Sequence, residues 1–187
     1  MIEREIKFMI SDNKLDKYKR ILNSFVTPTK ILQINYYYDT PDFHLNSLGK
    51  TLRVRQKKNN LILQYKYDKN LIGIERICKE YEMELQLFPM SILSNILPDN
   101  VSESFLVYNY IGSLITERLD YFYNGTIISL DTNYYLGEHD CELEIEYAEL
   151  EKAENVIRLI PINEAEIKTM GKYSRYARVY QKLVNNG

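Results

Sequence analysis

Polar and apolar residues alternate along much of this chain, and a period of two predicts β-strands. From residue 2 to residue 10, Glu3, Glu5 and Lys7 share one face, whereas Ile6 and Phe8 lie on the other. Similar alternation or strand-forming composition recurs at residues 34–39, 51–57, 61–67, 80–85, 115–122, 126–131 and 141–147. The sequence therefore predicts about eight strands. Tight turns are expected at residues 58–60 and at Asn124-Gly125.

Helical spacing of apolar residues is limited to a few segments. It predicts helices over residues 15–25 behind an Asp12 cap, over 150–160 before Pro161, and over 173–183. A short helix is expected near residues 90–97, and the rest of the segment to Gly112 stays unassigned. The pattern is that of a mainly β protein with a few amphipathic helices.

Length and composition fit a single domain over residues 1–187. Hydrophobic residues make up 45% and charged residues 27%, which is typical of a globular protein. No apolar run reaches the roughly 18 residues of a membrane-spanning helix, and the chain opens without a signal pattern, so a cytoplasmic location is expected. The two cysteines are expected to be small core residues rather than a disulfide or a zinc site.

The polar strand faces carry unusually sorted charge. Three glutamates share one face at 80–84, three more share another at 142–146, and two arginines with a lysine share a third at 53–57. A solvated face usually mixes both signs, so the ordinary interpretation of a polar face exposed to water fits this set poorly. If the sheet closes into a barrel, the faces become one polar lumen. That lumen would hold Lys7, Arg53, Arg55, Lys66 and Arg118 beside Glu3, Glu5, Glu82, Glu142 and Glu144.

This mixture of charges suits a polyphosphate and a metal ion. Guanidinium groups match phosphate oxygens in bidentate fashion, and lysine adds a point charge. Carboxylates near phosphate would repel it unless they held a hard cation such as Mg²⁺ or Mn²⁺, which prefers oxygen ligands.

Short motifs along the chain resemble those of the CYTH, or triphosphate tunnel metalloenzyme, family. Residues 3–7 resemble its ExExK signature, and residues 37–42 with 48–55 resemble its YxDTxD and LRxR blocks. The later matches are Gln64-Tyr65-Lys66, the acidic strand 80–84, Glu117-Arg118, the 130–144 block that ends in ExE, and Lys172-Tyr173-Ser174-Arg175.

The resemblance implies an α+β, mainly β fold: an eight-stranded antiparallel β-barrel, the triphosphate tunnel, with helices packed outside. It implies metal ligation by Glu3, Glu5, Glu142 and Glu144. Phosphate contacts are implied for Lys7, Arg53, Arg55, Lys66, Arg118, Lys172 and Arg175. Glu5, Lys66 and Arg118 are the expected catalytic residues, and Glu82 and Asp131 are further candidates in the acidic set. For Glu82, the functional carboxylate could lie two residues away on the same face.

The function implied is metal-dependent hydrolysis of inorganic triphosphate or an organic triphosphate such as thiamine triphosphate. Two alternatives stay open: a class IV adenylate cyclase, and a non-catalytic module that binds polyphosphate or nucleotides. The basic face of the first helix lacks interleaved aromatic residues, so no nucleic-acid partner is expected. No membrane partner is expected either, and the sequence leaves open whether the protein is a monomer or a homodimer.

Overall fold

A computed structural model of the protein describes residues 1–98, 106–160, 162 and 170–185. Its strands are β1 (Ile2–Ile10), β2 (Thr29–Asp39), β3 (Thr51–Lys57), β4 (Asn60–Ile72), β5 (Glu75–Leu85), β6 (Ser91–Leu93), β7 (Val107–Tyr123), β8 (Thr126–Tyr135) and β9 (Glu138–Tyr147). Its helices are α1 (Asp12–Asn23), α2 (His44–Ser47), α3 (Leu150–Leu159) and α4 (Lys172–Asn185).

Eight of these strands close into an antiparallel barrel. The order is β2-β3-β4-β5-β1-β9-β8-β7, and β7 pairs with β2 to complete the ring. The short strand β6 pairs with the N-terminal end of β7 as a ninth strand. Closure satisfies the edges that an open sheet would leave unpaired. The predicted barrel is confirmed.

Two apolar layers cover the outside of the barrel. Helices α1 and α3 pack on the outward residues of β1, β8 and β9, and this layer contains Phe8, Leu143 and Val156. A second layer on β2, β3 and β4 is covered by residues 91–97, with Ile92 and Leu97 buried in it. Apolar residues therefore point outward into these layers, and polar residues point into the lumen.

Helix α4 lies across one end of the barrel. Tyr173 and Tyr176 pack against Tyr37 and Leu114, which are inward positions of β2 and β7. Gly112 permits this close approach, because its φ is 144° and a Cβ there would lie 1.7 Å from the Tyr176 hydroxyl. The first residues of α4 are thereby directed toward the lumen.

Several predicted elements differ from the structure at their ends. The short helix expected near residues 90–97 is instead strand β6 followed by one 3-10 turn, Ser94–Ile96. The N-cap of α1 is Ser11, and Asp12 is already helical. The unassigned segment supplies the start of β7, whereas its residues 99–105, like Pro161, lie outside the described residues. Turns follow β3 and β7 as predicted, with positive φ at Lys58 and Asn124.

The hairpin of β4 and β5 is longer than the sequence pattern indicated. The first strand continues to Ile72 and the second begins at Glu75, so residues 68–72 and 75–79 also belong to the sheet. Within the described residues, no helix is both long enough and apolar enough to cross a membrane.

Leu143 provides a test of whether the apolar core lies on the outer face of the barrel. It is fully buried on the outer face of β9, so Leu143→Ala is expected to lower the free energy of unfolding by about 2–5 kcal/mol. Leu183→Ala, at a position in α4 that is 54% exposed, should change it by less than about 0.5 kcal/mol. Urea unfolding measures both values, and equal effects would contradict the assigned core.

Candidate active site

The strand register places the lumen charges in rows across neighbouring strands. Glu5 of β1 lies between Arg76 of β5 and Glu146 of β9. In the next row, Lys7 lies opposite Glu144. Side chains directly opposite one another on adjacent strands are about 5 Å apart at Cβ, so the opposite charges can pair.

Three carboxylates form a buried acidic cluster, defined here as Asp131, Glu142 and Glu144. Each can offer an oxygen atom so that all three atoms lie within 4.8 Å of one another. Arg118 donates to both oxygens of Asp131, at 2.7 and 2.6 Å, and to Glu144 at 2.5 Å. The ammonium group of Lys172 lies 2.7 Å from Asp131 and 2.9 Å from Glu144, and it also contacts Glu142.

The pKa values of this cluster reflect strong compensation of charge. Burial raises the pKa of Asp131, but the charges of Lys172 and Arg118 outweigh it and lower the pKa overall. For Glu144 the opposing effects are again burial and positive charge, here from Lys7 and Arg118, and the pKa lies well below its usual value. Burial lowers the pKa of Lys172, while the charge of Asp131 opposes that change.

A second group of charges surrounds Lys66. Its ammonium group pairs closely with Glu3 and lies 3.8 Å from Glu80. The Cys78 thiol donates to Glu3 at 3.1 Å. Burial raises the pKa of Glu3, but the charge and the hydrogen bond of Lys66 dominate and lower it to about 2. Arg53 lies beside this group, with one guanidinium nitrogen 4.0 Å from Glu80.

A cavity of about 260 Å³ joins the two groups. The predicted site residues that line it are Glu3, Glu5, Lys7, Arg53, Arg55, Lys66, Arg118, Glu144 and Lys172. Asp131, Glu142 and Arg175 are buried beside it without lining it. Arg175 lies 2.7 Å from Asp140 and 2.9 Å from Glu142. It therefore contacts the acidic cluster without lining the cavity.

Glu82 is not in the lumen cluster. It is exposed near the end of β5, where it accepts a hydrogen bond from Gln64. Glu80, two residues earlier on the same face, is buried and lies near Lys66 and Arg53. The acidic residue of this strand that reaches the predicted site is therefore Glu80.

Polar residues outside the predicted set also line the cavity, and those with a charge or a thiol are Lys69, Arg76, Cys78 and Glu146. Arg76 lies 3.4 Å from Glu5, in the part of β5 that the sequence pattern had not marked as a strand. Cys78 had been predicted as a core residue, but it is only partly buried and lines the cavity, whereas Cys141 is buried. Burial, together with Glu144 and Glu3, raises the pKa of Glu146 to about 7.

The surroundings of Arg55 in the cavity contain little negative charge. Its guanidinium donates to the neutral side chain of Asn35 at 3.0 Å. Burial, with the charges of Arg53 and Arg118, lowers its pKa to about 9. An anion bound beside Arg55 would relieve this electrostatic cost.

The donor set of the acidic cluster fits a hard divalent cation. Its ligand atoms are all carboxylate oxygens, which suit Mg²⁺ or Mn²⁺ better than softer metals. Their separation of at most 4.8 Å allows them to converge on one ion. Cationic side chains on the same cavity wall can bind the phosphate oxygens with which such an ion is shared.

Comparisons with known proteins agree with this geometry. The sequence is 27% identical over 153 residues to YjbK of Bacillus subtilis (strain 168), whose name proposes a triphosphatase, and the match covers 79% of this chain and 78% of that protein. HpAC1 from Hippeastrum, described as a proposed adenylyl cyclase with a dominant triphosphatase activity, superimposes with a TM-score of 0.72 at 20% identity, covering 95% and 96% of the two chains.

A proposed adenylate cyclase from Bacillus halodurans has the same fold. Its TM-score is 0.69 at 24% identity, with 92% of this chain and 95% of that chain covered. The sequence model of the CYTH domain matches residues 1–174, from the first glutamates of β1 to the start of α4. The chain therefore belongs to the CYTH domain family.

Proposed function

We propose that this protein hydrolyses a terminal phosphoanhydride bond of inorganic triphosphate with the help of Mg²⁺ or Mn²⁺. The observation that carries the proposal is the convergence of basic and acidic side chains from six barrel strands and α4 on one cavity. The names of YjbK and HpAC1, both similar to this chain, support triphosphatase chemistry.

The cavity favours an inorganic chain over a nucleotide or thiamine triphosphate. Its volume of about 260 Å³ lies below the range of about 300–1,000 Å³ typical for drug-sized organic ligands. Among the described residues, Tyr173 is the only aromatic side chain in its lining, and that ring already packs on Tyr37. A flat heterocycle would find little surface on which to stack.

The cations are proposed to hold the phosphate chain in place. Arg53, Arg55 and Lys66 approach from β3 and β4, whereas Arg118 and Lys7 approach from β7 and β1. Phosphoryl transfer depends mainly on positioning and on stabilisation of charge, so these contacts supply much of the catalysis. Lys172 is proposed as a further phosphate contact from α4. Arg175, predicted as another, does not line the cavity and is proposed instead to act through Glu142, which it contacts at 2.9 Å.

The carboxylates are proposed to hold the metal ions. Glu142 and Glu144, with Asp131 beside them, form one group, and Glu3 and Glu5 provide two more carboxylates on adjacent inward positions of β1. Bound Mg²⁺ or Mn²⁺ would neutralise phosphate oxygens and lower the pKa of a water molecule. Glu5 lies next to Lys7 and Arg76, and it is proposed to accept the proton of the attacking water.

Removal of a cavity cation should reduce turnover without unfolding the protein. Arg53→Gln and Lys66→Gln are each expected to lower kcat/KM for inorganic triphosphate by roughly 100-fold, because each removes a donor aimed at developing charge. Lys79→Gln is the matched control, since Lys79 lies on the outer face of β5 and its side chain is 55% exposed. Phosphate release measures the effect. Equal activity of all three variants would contradict this site.

Removal of metal tests the acidic residues. Phosphate release from inorganic triphosphate should cease in EDTA and return with Mg²⁺ or Mn²⁺. Glu142→Gln should require at least about 10-fold more metal for half-maximal activity, because loss of a charged ligand weakens the site. Glu84→Gln, at an exposed position of β5, is the control. Full activity in EDTA would overturn the metal assignment, and metal-dependent cyclic AMP formation from ATP without triphosphate hydrolysis would favour the cyclase alternative.

Lys172 tests how the acidic cluster is compensated. Lys172→Met removes a buried positive charge that contacts Asp131, Glu142 and Glu144. The variant should lose roughly 3–5 kcal/mol of unfolding free energy without metal. Added Mg²⁺ should recover part of this loss by binding the native cluster. Urea unfolding with and without Mg²⁺ measures both effects, and an unchanged stability in EDTA would count against strong coupling.

A further inference from the structure

The outer part of the β4–β5 hairpin contains a bulge that redirects its side chains. The register shifts by one residue after Tyr67, and Asp68 has a φ of 49°. Asp68 consequently points outward to Lys79, at 2.8 Å, and the next residue, Lys69, points into the cavity. The Lys69 ammonium donates to the Thr51 hydroxyl at 2.8 Å. A bulge of this kind reverses the alternation that the preceding strand follows.

Arg76 enters the cavity from the opposite strand of the same hairpin. Its Nε lies 3.4 Å from the Glu5 carboxylate. Its Nη1 is buried and has no hydrogen-bond partner among the described residues. A buried guanidinium nitrogen without an acceptor is costly, and a bound anion would provide that acceptor. Arg76 also lies beside Gly171, just before α4, where a Cβ would be 3.5 Å from Nη2.

Positive charge exceeds negative charge at this place. Glu5 is shared between Arg76 at 3.4 Å and Lys7 at 3.5 Å. No carboxylate of the described chain is within ion-pair distance of Lys69. Although Lys69 is an exposed residue overall, its ammonium group lies within the cavity wall. Burial of that group, followed by the charges of Lys66 and Arg76, lowers its pKa to about 7.

The hairpin and Arg118 face the cavity from different sides. Arg76 belongs to β5 and Arg118 to β7, and these strands are four steps apart in a ring of eight. They therefore lie on opposite walls. A short anion can contact one of these walls closely, whereas a linear anion with several phosphate groups can contact both.

We propose that Arg76 and Lys69 form a hairpin subsite that binds one end phosphate of a linear triphosphate and selects three linked phosphates over two. This inference rests on the proposed function, because the anion is the substrate of the same cavity. Arg76 supplies an unpartnered guanidinium nitrogen, and Lys69 supplies an ammonium group without a carboxylate partner. The bulge at Asp68 is the feature that brings Lys69 into the subsite.

Binding measurements can test the hairpin subsite without relying on turnover. Isothermal titration calorimetry of the full chain in metal-free buffer at pH 6, below the pKa of Lys69, would compare inorganic tripolyphosphate with diphosphate. Arg76→Gln should weaken tripolyphosphate binding by about 10- to 100-fold, because a charge-assisted contact is lost. Diphosphate binding should change by less than about twofold. Lys69→Gln should act in the same direction with a smaller effect, and the outward-facing Lys79→Gln should leave both affinities unchanged.

The conservative variant Arg76→Lys controls for affinity that is lost through misfolding instead of through loss of the contact. This variant keeps the positive charge beside Glu5 but loses the bidentate geometry of the guanidinium group. Its affinity for tripolyphosphate should therefore lie between that of the unmodified protein and that of Arg76→Gln. Equal losses for both ligands, or no loss in Arg76→Gln, would overturn the hairpin subsite.

Arg53→Gln separates this inference from the proposed function. If Arg53→Gln weakens tripolyphosphate binding while Arg76→Gln does not, the hairpin subsite is wrong and the triphosphate cavity stands. If the unmodified protein binds no tripolyphosphate either without metal or with Mg²⁺ present, both the proposed function and the subsite are wrong.

Discussion

Closure of the barrel is the constraint on which the rest of this structure depends. Once β7 pairs with β2, the inward side chains are confined to a narrow lumen, and most of the charges there are paired with an opposite charge. Arg118 is accordingly held by Asp131 and Glu144, and Lys66 by Glu3. The apolar residues of the same strands point outward, where α1, α3 and residues 91–97 cover them. The lumen is therefore polar and strongly charged.

This compensation links the binding of phosphate to the binding of metal. Several cations proposed to bind phosphate are already paired with carboxylates proposed to bind metal, and they are Lys7, Lys66, Arg118 and Lys172. A phosphate that binds Arg118 removes one of the positive partners of Asp131 and Glu144, and a divalent cation can replace that partner. Neither ligand can enter alone without leaving buried charge uncompensated. Binding of the two should therefore be cooperative, and Lys172 participates because it contacts all three carboxylates of the acidic cluster.

The sequence predicts the barrel well because polar and apolar residues alternate along each strand with a period of two, and in a barrel inward and outward side chains alternate with the same period. It fails where the backbone departs from that period. The bulge at Asp68 takes Lys69 out of the alternation of β4. Arg76 does follow the period of two from Glu80, but it lies in a part of β5 that the sequence pattern does not mark as a strand. Glu80 and Glu82 share one strand face, so sequence alone cannot tell which lies deeper, and the structure buries Glu80. The short helix expected at 90–97 is mostly extended, since its apolar residues cover a sheet and make few helical contacts.

The most direct test of this account is a crystal structure of the protein with tripolyphosphate and Mn²⁺, with manganese located by anomalous scattering. The account predicts phosphate oxygens in contact with Arg53, Arg55 and Arg118, and manganese bound to Glu142 and Glu144 beside that chain. Lys172 should then have exchanged carboxylate contacts for phosphate. Tripolyphosphate on the outer surface, or manganese away from the lumen carboxylates, would contradict the account.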